Sequence, residues 1–348
     1  MHVAIYLPLV VPLFAALASR PLADRLPPAA ATWLLAASAL ALALASSAVL
    51  GMLALSALVR IPVIDALGHL SRPVIRSGDA VSLPVAIVAG GLLVMAAVAA
   101  WRAVWRRGRA IAAAHRHARR LPGAGQVVVT EDSSADAYTV PGWPCRIVIT
   151  QGMLRALSTS ERGVLLAHER SHAQGSHYWF TSVARLAAAA NPFLRPVAAQ
   201  AGYTVERWAD ERAAAQAGDR TLAARAIAHA ALATSAAPPD RDAAMSALGL
   251  ITEEREPAAG QRGAGQHGAG QHGADQHGAG QPGAGHPRPD LHRAGQVPRR
   301  VAALLAPPPR LRLLLLAAAI VFVAISGAAA LEAARNFHQL IEMAQGSA

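Results

Sequence analysis

The residues with the clearest chemical potential are two histidines and an acid within one short stretch. His168 and His172 are four positions apart, and Glu169 directly follows the first histidine, so the stretch has the pattern HExxH. Residues four apart lie on one face of a helix, and both imidazoles can therefore bind a single Zn²⁺. Glu169 would then lie beside the metal, where its carboxylate can accept a proton from the attacking water and pass it to a leaving amine. The pattern predicts a catalytic zinc site with Glu169 as the general base.

A second acidic pattern follows later in the chain. Glu206 and Asp210 form an ExxxD pair in a segment rich in helix-forming residues, so both should lie on one helical face. Because a catalytic zinc site has three protein ligands, we predict Glu206 as the third ligand. Asp210 is predicted to accept the free ring N–H of a ligating histidine and so fix its tautomer. The alternative is that both acids belong to an ordinary charged helix face.

Local signals predict helices for both patterns. Ser158 and Glu161 fit a capping box before an apolar run, and Gly175 is expected to end this first helix. The second helix is expected between Gly202 and Gly218.

Three short segments before the first helix have the composition of β-strands, namely residues 126–130, 137–140 and 146–150. We expect a small sheet, and in zincins one edge of such a sheet pairs with an extended substrate. The sequence does not determine which strand forms that edge.

The segment between the two patterns is apolar but short. Residues 178–190 are interrupted by Arg185 and are too few to span a bilayer, so we expect them to pack on the bilayer surface or against other helices. His177 and Tyr178 could stabilise an oxyanion, but a structural histidine and a packing tyrosine are the favoured interpretation.

The composition indicates a membrane protein. Hydrophobic residues make up 53% of the 348 residues and charged residues 15%, whereas about a quarter of an average soluble domain is charged. We favour an uncleaved first helix over a signal peptide, because residues 1–3 lack the basic residues that such peptides carry. The predicted membrane helices cover Val3–Ser19, Ala29–Leu58, Leu83–Trp101 and Leu313–Leu331.

The distribution of arginine predicts the orientation, since the sequence contains no lysine. Arginines are dense in residues 102–120 and sparse in residues 60–82, so the positive-inside rule places the zinc domain in the cytoplasm and both chain ends outside. The formal net charge of +11 is explained by attraction to anionic lipid headgroups. The arginines lack the interleaved aromatic residues of a nucleic-acid platform, so no direct nucleic-acid binding is expected.

One segment of the chain is a Gly-rich repeat. Residues 260–285 repeat a five-residue unit that is too poor in side chains to form a core, and a disordered tether is predicted. The recurring histidines of the repeat are His267, His272, His277 and His286, and weak metal binding by these histidines is the alternative.

Cys145 is the only cysteine, which excludes an intramolecular disulfide, and we interpret it as a small core residue.

The HExxH and ExxxD patterns resemble those of the gluzincin membrane peptidases. Their flanks, residues 157–167 and 300–305, are similar to the BlaR/MecR-type family, and the resemblance covers roughly residues 80–330. It implies a multi-helix membrane protein whose cytoplasmic zinc domain cleaves itself or a transcriptional repressor. Only residues 331–348 follow the last apolar segment, too few for the extracellular penicillin-binding domain of the antibiotic-sensing members, so sensing of β-lactams is not expected.

These observations predict a mainly α membrane protein. About four transmembrane helices would carry a cytoplasmic zincin-like α+β metalloprotease domain that contains a small sheet and binds Zn²⁺. The expected partners are a protein or peptide substrate, with a transcriptional repressor implied by the resemblance, and the lipid bilayer. The predicted regions are an N-terminal membrane region (1–105), a zinc metallopeptidase domain (106–255), a disordered linker (256–309), and a last membrane helix with a short tail (310–348).

Two alternatives remain from the sequence. One is a membrane quality-control or processing protease of the HtpX or CAAX type, which shares both patterns. The other is a non-catalytic signalling scaffold with structural zinc, against which the presence of Glu169 argues, because a structural site does not use a base.

Overall fold

The computed structural model of the protein describes residues 6–58, 82–120, 125–142, 145–235 and 295–346. The Gly- and His-rich repeat and the predicted loop after the second apolar segment lie outside these ranges. In chain order the elements are α1 (Leu7–Arg25), α2 (Pro28–Leu58), α3 (Leu83–Arg120), β1 (Val127–Thr130), β2 (Ala137–Val140), β3 (Arg146–Thr150), α4 (Gln151–Ala156), α5 (Thr159–Gly175), α6 (His177–Ala190), a 3₁₀ turn (Pro192–Leu194), α7 (Arg195–Ala217), α8 (Arg220–Ser235), α9 (Gln296–Leu305) and α10 (Leu313–Gly346).

Within the part of the chain that the structure describes, four helices are long and apolar enough to cross a membrane, namely α1, α2, α3 and α10. They correspond to the four predicted spans, so the prediction of a mainly helical membrane protein is confirmed. α3 continues without a break to Arg120, and the arginine-rich segment after the predicted span is therefore part of the same helix. α1 accommodates Pro12 and Pro21 within its length.

The predicted small sheet is present and has three strands in the order β1-β3-β2. β1 pairs parallel with β3, and β2 pairs antiparallel with β3. The central strand carries consecutive buried residues, Ile147, Val148 and Ile149, as expected for a strand that is covered on both faces. Among the described residues, β1 and β2 are therefore the two edges.

The helix with the HExxH pattern, Thr159–Gly175, begins and ends as predicted. At its start the Ser158 hydroxyl accepts a hydrogen bond from the backbone of Glu161, whose carboxylate accepts one from the Ser158 backbone, so the capping box is complete. At its end, the left-handed residue is Ser176 (φ 50°) rather than Gly175. Gly175 has a different reason to be glycine: a Cβ there would lie 2.4 Å from Nε2 of His177.

α7 lies against α1, α2, α5, α6, α8 and α9. It begins at Arg195, directly after the 3₁₀ turn, so the prediction that it starts near Gly202 is wrong. The reason is local: the Asn191 side chain caps the turn by accepting a hydrogen bond from the Phe193 backbone, and the chain enters α7 without a break. Its end at Gly218, with φ 68°, is as predicted.

One helix lies where the sequence predicts linker. Residues 296–305 form α9, which packs against α7 and α8 and buries Arg300 and Leu304. The hydrophobic contact of Leu304 with the apolar residues of α8 explains why this segment is helical rather than extended.

Candidate metal centre

α5 and α7 bring three potential metal-binding side chains together. Nε2 of His168 lies 3.1 Å from Nε2 of His172. The two carboxylate oxygens of Glu206 lie 3.5 Å from Nε2 of His168 and 3.6 Å from Nε2 of His172. The three side chains thus face one small volume, as a single ion would require.

These distances can be tested against the geometry of zinc. Ligands held at about 2.0–2.1 Å in a tetrahedron lie about 3.3 Å from one another. The two imidazole nitrogens are 3.1 Å apart, and each lies 3.5–3.6 Å from a different oxygen of the Glu206 carboxylate, so all three separations are close to this value. Two imidazole nitrogens and a carboxylate oxygen are also the donor types of a catalytic zinc site. The residues present therefore fit a zinc ion.

The second ring nitrogen of each histidine has a partner of its own. Nδ1 of His168 lies 2.9 Å from Oδ1 of Asp210, as expected for a carboxylate that fixes the tautomer. Nδ1 of His172 lies 3.1 Å from Nδ1 of His177, at the start of α6. With both Nδ1 atoms engaged in this way, the two Nε2 atoms are the ones directed to the common volume.

Arg300 of α9 connects the two acids behind the site. Its Nε and Nη2 each donate to one oxygen of Asp210 at 2.8 Å, and its Nη1 lies 3.3 Å from Glu206. Because Arg300 and Asp210 are both buried, this two-point contact holds Asp210 in one orientation.

The charges of the site shift the pKa values of its members in opposite directions. Burial disfavours a charged imidazole, but Asp210 and Glu206 outweigh this effect and raise the pKa of His168 to about 10. Burial also opposes ionisation of Glu206, yet His172, Arg300 and His168 hold the pKa of its carboxyl well below the usual range. The protein without metal therefore keeps Glu206 ionised and His168 protonated at neutral pH.

His177 differs from the other two histidines. Burial lowers its pKa to about 3, and it packs against Trp208 with ring centroids 4.6 Å apart. A neutral His177 can accept a hydrogen bond at Nδ1, and this is the role that a neutral His172 bound to metal through Nε2 would require of its partner.

Glu169 is held by the sheet. The hydroxyl of Thr139 in β2 donates to Oε2 of Glu169 at 2.8 Å and is 3.0 Å from the Glu169 carbonyl oxygen. The base predicted from sequence is therefore oriented by an edge strand, next to the histidine that precedes it on α5.

The site is partly open. The side chains of His172 and Glu206 retain 18% and 17% exposure, whereas that of Asp210 retains 1%. Two of the three potential ligands are therefore partly accessible, whereas His168 and Asp210 are buried.

One protein-family model matches the part of the chain that contains this site. Residues 102–248 match the model of peptidase family M48. This match, together with the four apolar helices, supports a membrane metallopeptidase, for which zinc is the typical metal at the level of the family. Neither the comparison with curated proteins nor that with solved structures found a match.

The structure brings together all five predicted site residues, His168, Glu169, His172, Glu206 and Asp210. It adds three supporting residues that the sequence did not identify as such. Thr139 and Arg300 come from distant segments, and no spacing rule links them to the motif. For His177, the sequence favours a structural role. It is buried, as that interpretation requires, but it also contacts His172. Tyr178 packs beneath the Arg107 guanidinium, 4.4 Å from its ring centroid, in keeping with a packing role.

Proposed function

We propose that this chain is a membrane-bound zinc endopeptidase that hydrolyses peptide bonds at the cytoplasmic face. The observation that carries the proposal is the convergence of His168, His172 and Glu206, each of which offers one ligand atom within 4.8 Å of the other two. The match to peptidase family M48 supports it independently. His168, His172 and Glu206 would hold the ion, and Asp210 and His177 would orient the two imidazoles.

Zinc, when bound, polarises the scissile carbonyl and acidifies water. Glu169 takes one proton from the attacking water as the water oxygen bonds to the carbonyl carbon, and it delivers that proton to the amine nitrogen as the carbon–nitrogen bond breaks. The contact from Thr139 occupies Oε2 of Glu169 and leaves Oε1 for the proton. One oxygen therefore positions the base, and the other performs the transfer.

β2 is the edge best placed for substrate. It pairs only with β3 among the described residues, and its Thr139 contacts the general base. An extended peptide that added to this edge by main-chain hydrogen bonds would pass beside Glu169. Because the backbone of the substrate would make these contacts, we expect cleavage to depend only weakly on the substrate's side chains.

Cleavage of a transcriptional repressor, or of the chain itself, is the substrate class that the resemblance implies. Its support is the similarity of residues 157–167 and 300–305 to the BlaR/MecR-type family. A processing or quality-control protease of the HtpX or CAAX type is the alternative. The two functions predict different proteins bound to a catalytically inactive variant. A repressor-cleaving protease would capture one soluble DNA-binding protein, whereas an HtpX or CAAX-type protease would capture a range of membrane and prenylated proteins.

The decisive experiment compares Glu169→Gln with the wild type. The substitution keeps the shape of the side chain but removes its ability to accept a proton, so peptide hydrolysis should fall by about 10²–10⁴-fold while the zinc content stays at one per chain. Zinc content by elemental analysis and cleavage products by comparative proteomics give the two readouts. Arg170→Gln, which changes the next residue on the same helix, is the matched control. A Glu169→Gln protein that cleaves as fast as the wild type would contradict the proposal. If the protein is a scaffold with structural zinc, neither the wild type nor Glu169→Gln would give cleavage products.

A further inference from the structure

A cavity of about 360 Å³ with several charged residues in its lining adjoins α7 on a different face from Glu206. α7 presents Tyr203 and Arg207 to the cavity and turns Glu206 towards the metal ligands. The remaining lining residues come from the end of α1, from α9 and from the connection to α10. The cavity is within the usual size of ligand pockets, about 300–1,000 Å³, and larger than a phosphate group needs.

The lining is strongly basic. Arg20, Arg207 and Arg299 contribute three positive charges and Asp24 one negative charge, which leaves a net charge of +2. Arginine is the residue type best suited to phosphate, because its planar group offers paired N–H donors. The charge and donor type of the cavity therefore select an anion.

Contacts with neighbouring residues fix the positions of two of these arginine side chains. The Arg299 guanidinium lies 3.9 Å from the centroid of the Tyr203 ring and donates to Asp24 at 2.9 Å. Arg207 is 4% exposed and donates through Nη1 to the Ala23 carbonyl, whereas its buried Nε has no hydrogen-bond partner among the described residues. A buried N–H of a charged group without an acceptor is costly, so an acceptor in the cavity would be favoured.

The cavity lies where two apolar helices end. Arg20 and Asp24 are in the last turns of α1, and Pro309 shortly precedes α10. The first residues of α10, Leu313 and Leu314, are 67% and 87% exposed. A basic cavity that adjoins exposed leucines has the two chemical environments of a phospholipid: phosphate in one and acyl chain in the other.

We propose that this cavity binds the phosphate of an anionic phospholipid headgroup. Arg20, Arg207 and Arg299 donate to the phosphate oxygens, and the acyl chains lie along the start of α10. The same phosphate chemistry exists in soluble compounds, but the exposed leucines beside the arginines favour the lipid as its source. The inference does not depend on proteolysis.

The test uses the full chain in nanodiscs of phosphatidylcholine with a small fraction of phosphatidylglycerol. Native mass spectrometry after mild delipidation counts the phosphatidylglycerol molecules retained. We expect one per wild-type chain and about tenfold weaker retention for Arg299→Gln, since a charge-assisted contact is lost. Arg312→Gln removes the same charge from an exposed position at the start of the same apolar segment and should retain lipid like the wild type.

Two further measurements keep the test decisive. Melting temperatures in pure phosphatidylcholine show whether Arg299→Gln is folded, and Arg20→Gln provides a second variant, on α1 instead of α9. Equal retention by wild type and all three variants would mean nonspecific surface lipid and would overturn the proposal. In a second arm, inorganic phosphate is added to phosphatidylcholine nanodiscs. Binding of phosphate without retention of phosphatidylglycerol would overturn the lipid assignment.

Discussion

At the scale of single residues, the candidate metal centre includes side chains that support the potential ligands without being ligands themselves. Asp210 lies against Nδ1 of His168 and is itself held by Arg300. Loss of such an outer contact typically weakens metal binding about 10–100-fold. In Asp210→Ala, His168 would lose its orienting carboxylate and Arg300 would stay buried with one partner fewer.

We therefore expect Asp210→Ala to lower zinc affinity by about 10–100-fold, measured by competition with a chromogenic chelator. Gln216→Ala is the control on the same helix, because Gln216 is an exposed polar residue of α7. Equal affinity in wild type and Asp210→Ala would show that Asp210 is not the partner of a ligating histidine.

The charge balance of the metal-free site predicts a coupling between zinc and protons. Asp210 and Glu206 raise the pKa of His168 to about 10, so this histidine is protonated at pH 7, and a metal ligand must be neutral. Zinc binding at pH 7 should therefore release about one proton, and its affinity should fall as the pH is lowered from 10, by about tenfold per unit. Calorimetry in two buffers with different ionisation enthalpies measures the released proton directly. A binding enthalpy that is independent of the buffer would contradict this prediction.

Four of the five predicted site residues follow from helical spacing, which places them on two helical faces, and Glu169 follows from its position directly after His168. His168 and His172 share one face through a four-residue step, and Glu206 and Asp210 share another. Arg300 could not be found in this way, because it is 90 positions from Asp210 and reaches it only through the packing of α9. Thr139, 30 positions before Glu169, is equally invisible to a pattern, since the sheet register decides which side chain of β2 meets α5.

At the scale of elements, the boundary between α5 and α6 positions His177. α5 ends at Gly175 as the sequence predicts, but the left-handed residue is Ser176, and Gly175 is required because its lack of a side chain leaves room for His177. A Cβ on Gly175 would come within 2.4 Å of Nε2 and 2.5 Å of Cδ2 of His177. The ring would have to move, and its contact with His172 would be lost.

We predict that Gly175→Ala lowers zinc affinity and peptide hydrolysis together, by about tenfold or more, through displacement of His177. Gly163→Ala is the control on the same helix. A Cβ at Gly163 meets nothing within 4 Å, so this change should stabilise the helix by about 0.5–1 kcal/mol and leave zinc binding unchanged. Chelator competition and thermal unfolding separate the two effects. If Gly175→Ala binds zinc like Gly163→Ala, the His177 contact has no role in the site.

The helix starts and strands were better predicted than the approach to α7. A capping box and short strand-forming segments bounded by turn residues are local signals, and both are present as predicted. The start of α7 depends instead on the turn at Asn191, whose side-chain amide also donates to Ser46 of α2 at 3.0 Å. Tertiary contacts of this kind override a glycine that would otherwise suggest a boundary, as they do at Gly202.

At the scale of the whole molecule, the metal-binding helices are joined to the membrane helices by polar contacts. Thr204 of α7 is 3.0 Å from Thr32 of α2, and Arg207 donates to the Ala23 carbonyl of α1 at 2.6 Å. Both contacts are buried and lie near the short connection between α1 and α2. The proposed active site is therefore fixed at the end of the bundle where α1 ends and α2 begins. Apolar stretches in the sequence predict the spans but carry no information about which ends meet the metal centre.

This placement yields a test of orientation. Since α7 contacts the junction of α1 and α2, the metal centre, Arg25 and the arginine-rich half of α3 should share one side of the membrane, and arginine density predicts that it is the cytoplasmic side. α10 then carries its C-terminal end to the opposite side. We expect alkaline phosphatase fused after Ala348 to be active and green fluorescent protein fused there to be dark, with the reverse result for insertions at Gly270. The reciprocal pair is needed because each reporter is silent on one side, and a fluorescent protein at Ala348 together with active phosphatase at Gly270 would place the metal centre outside the cell.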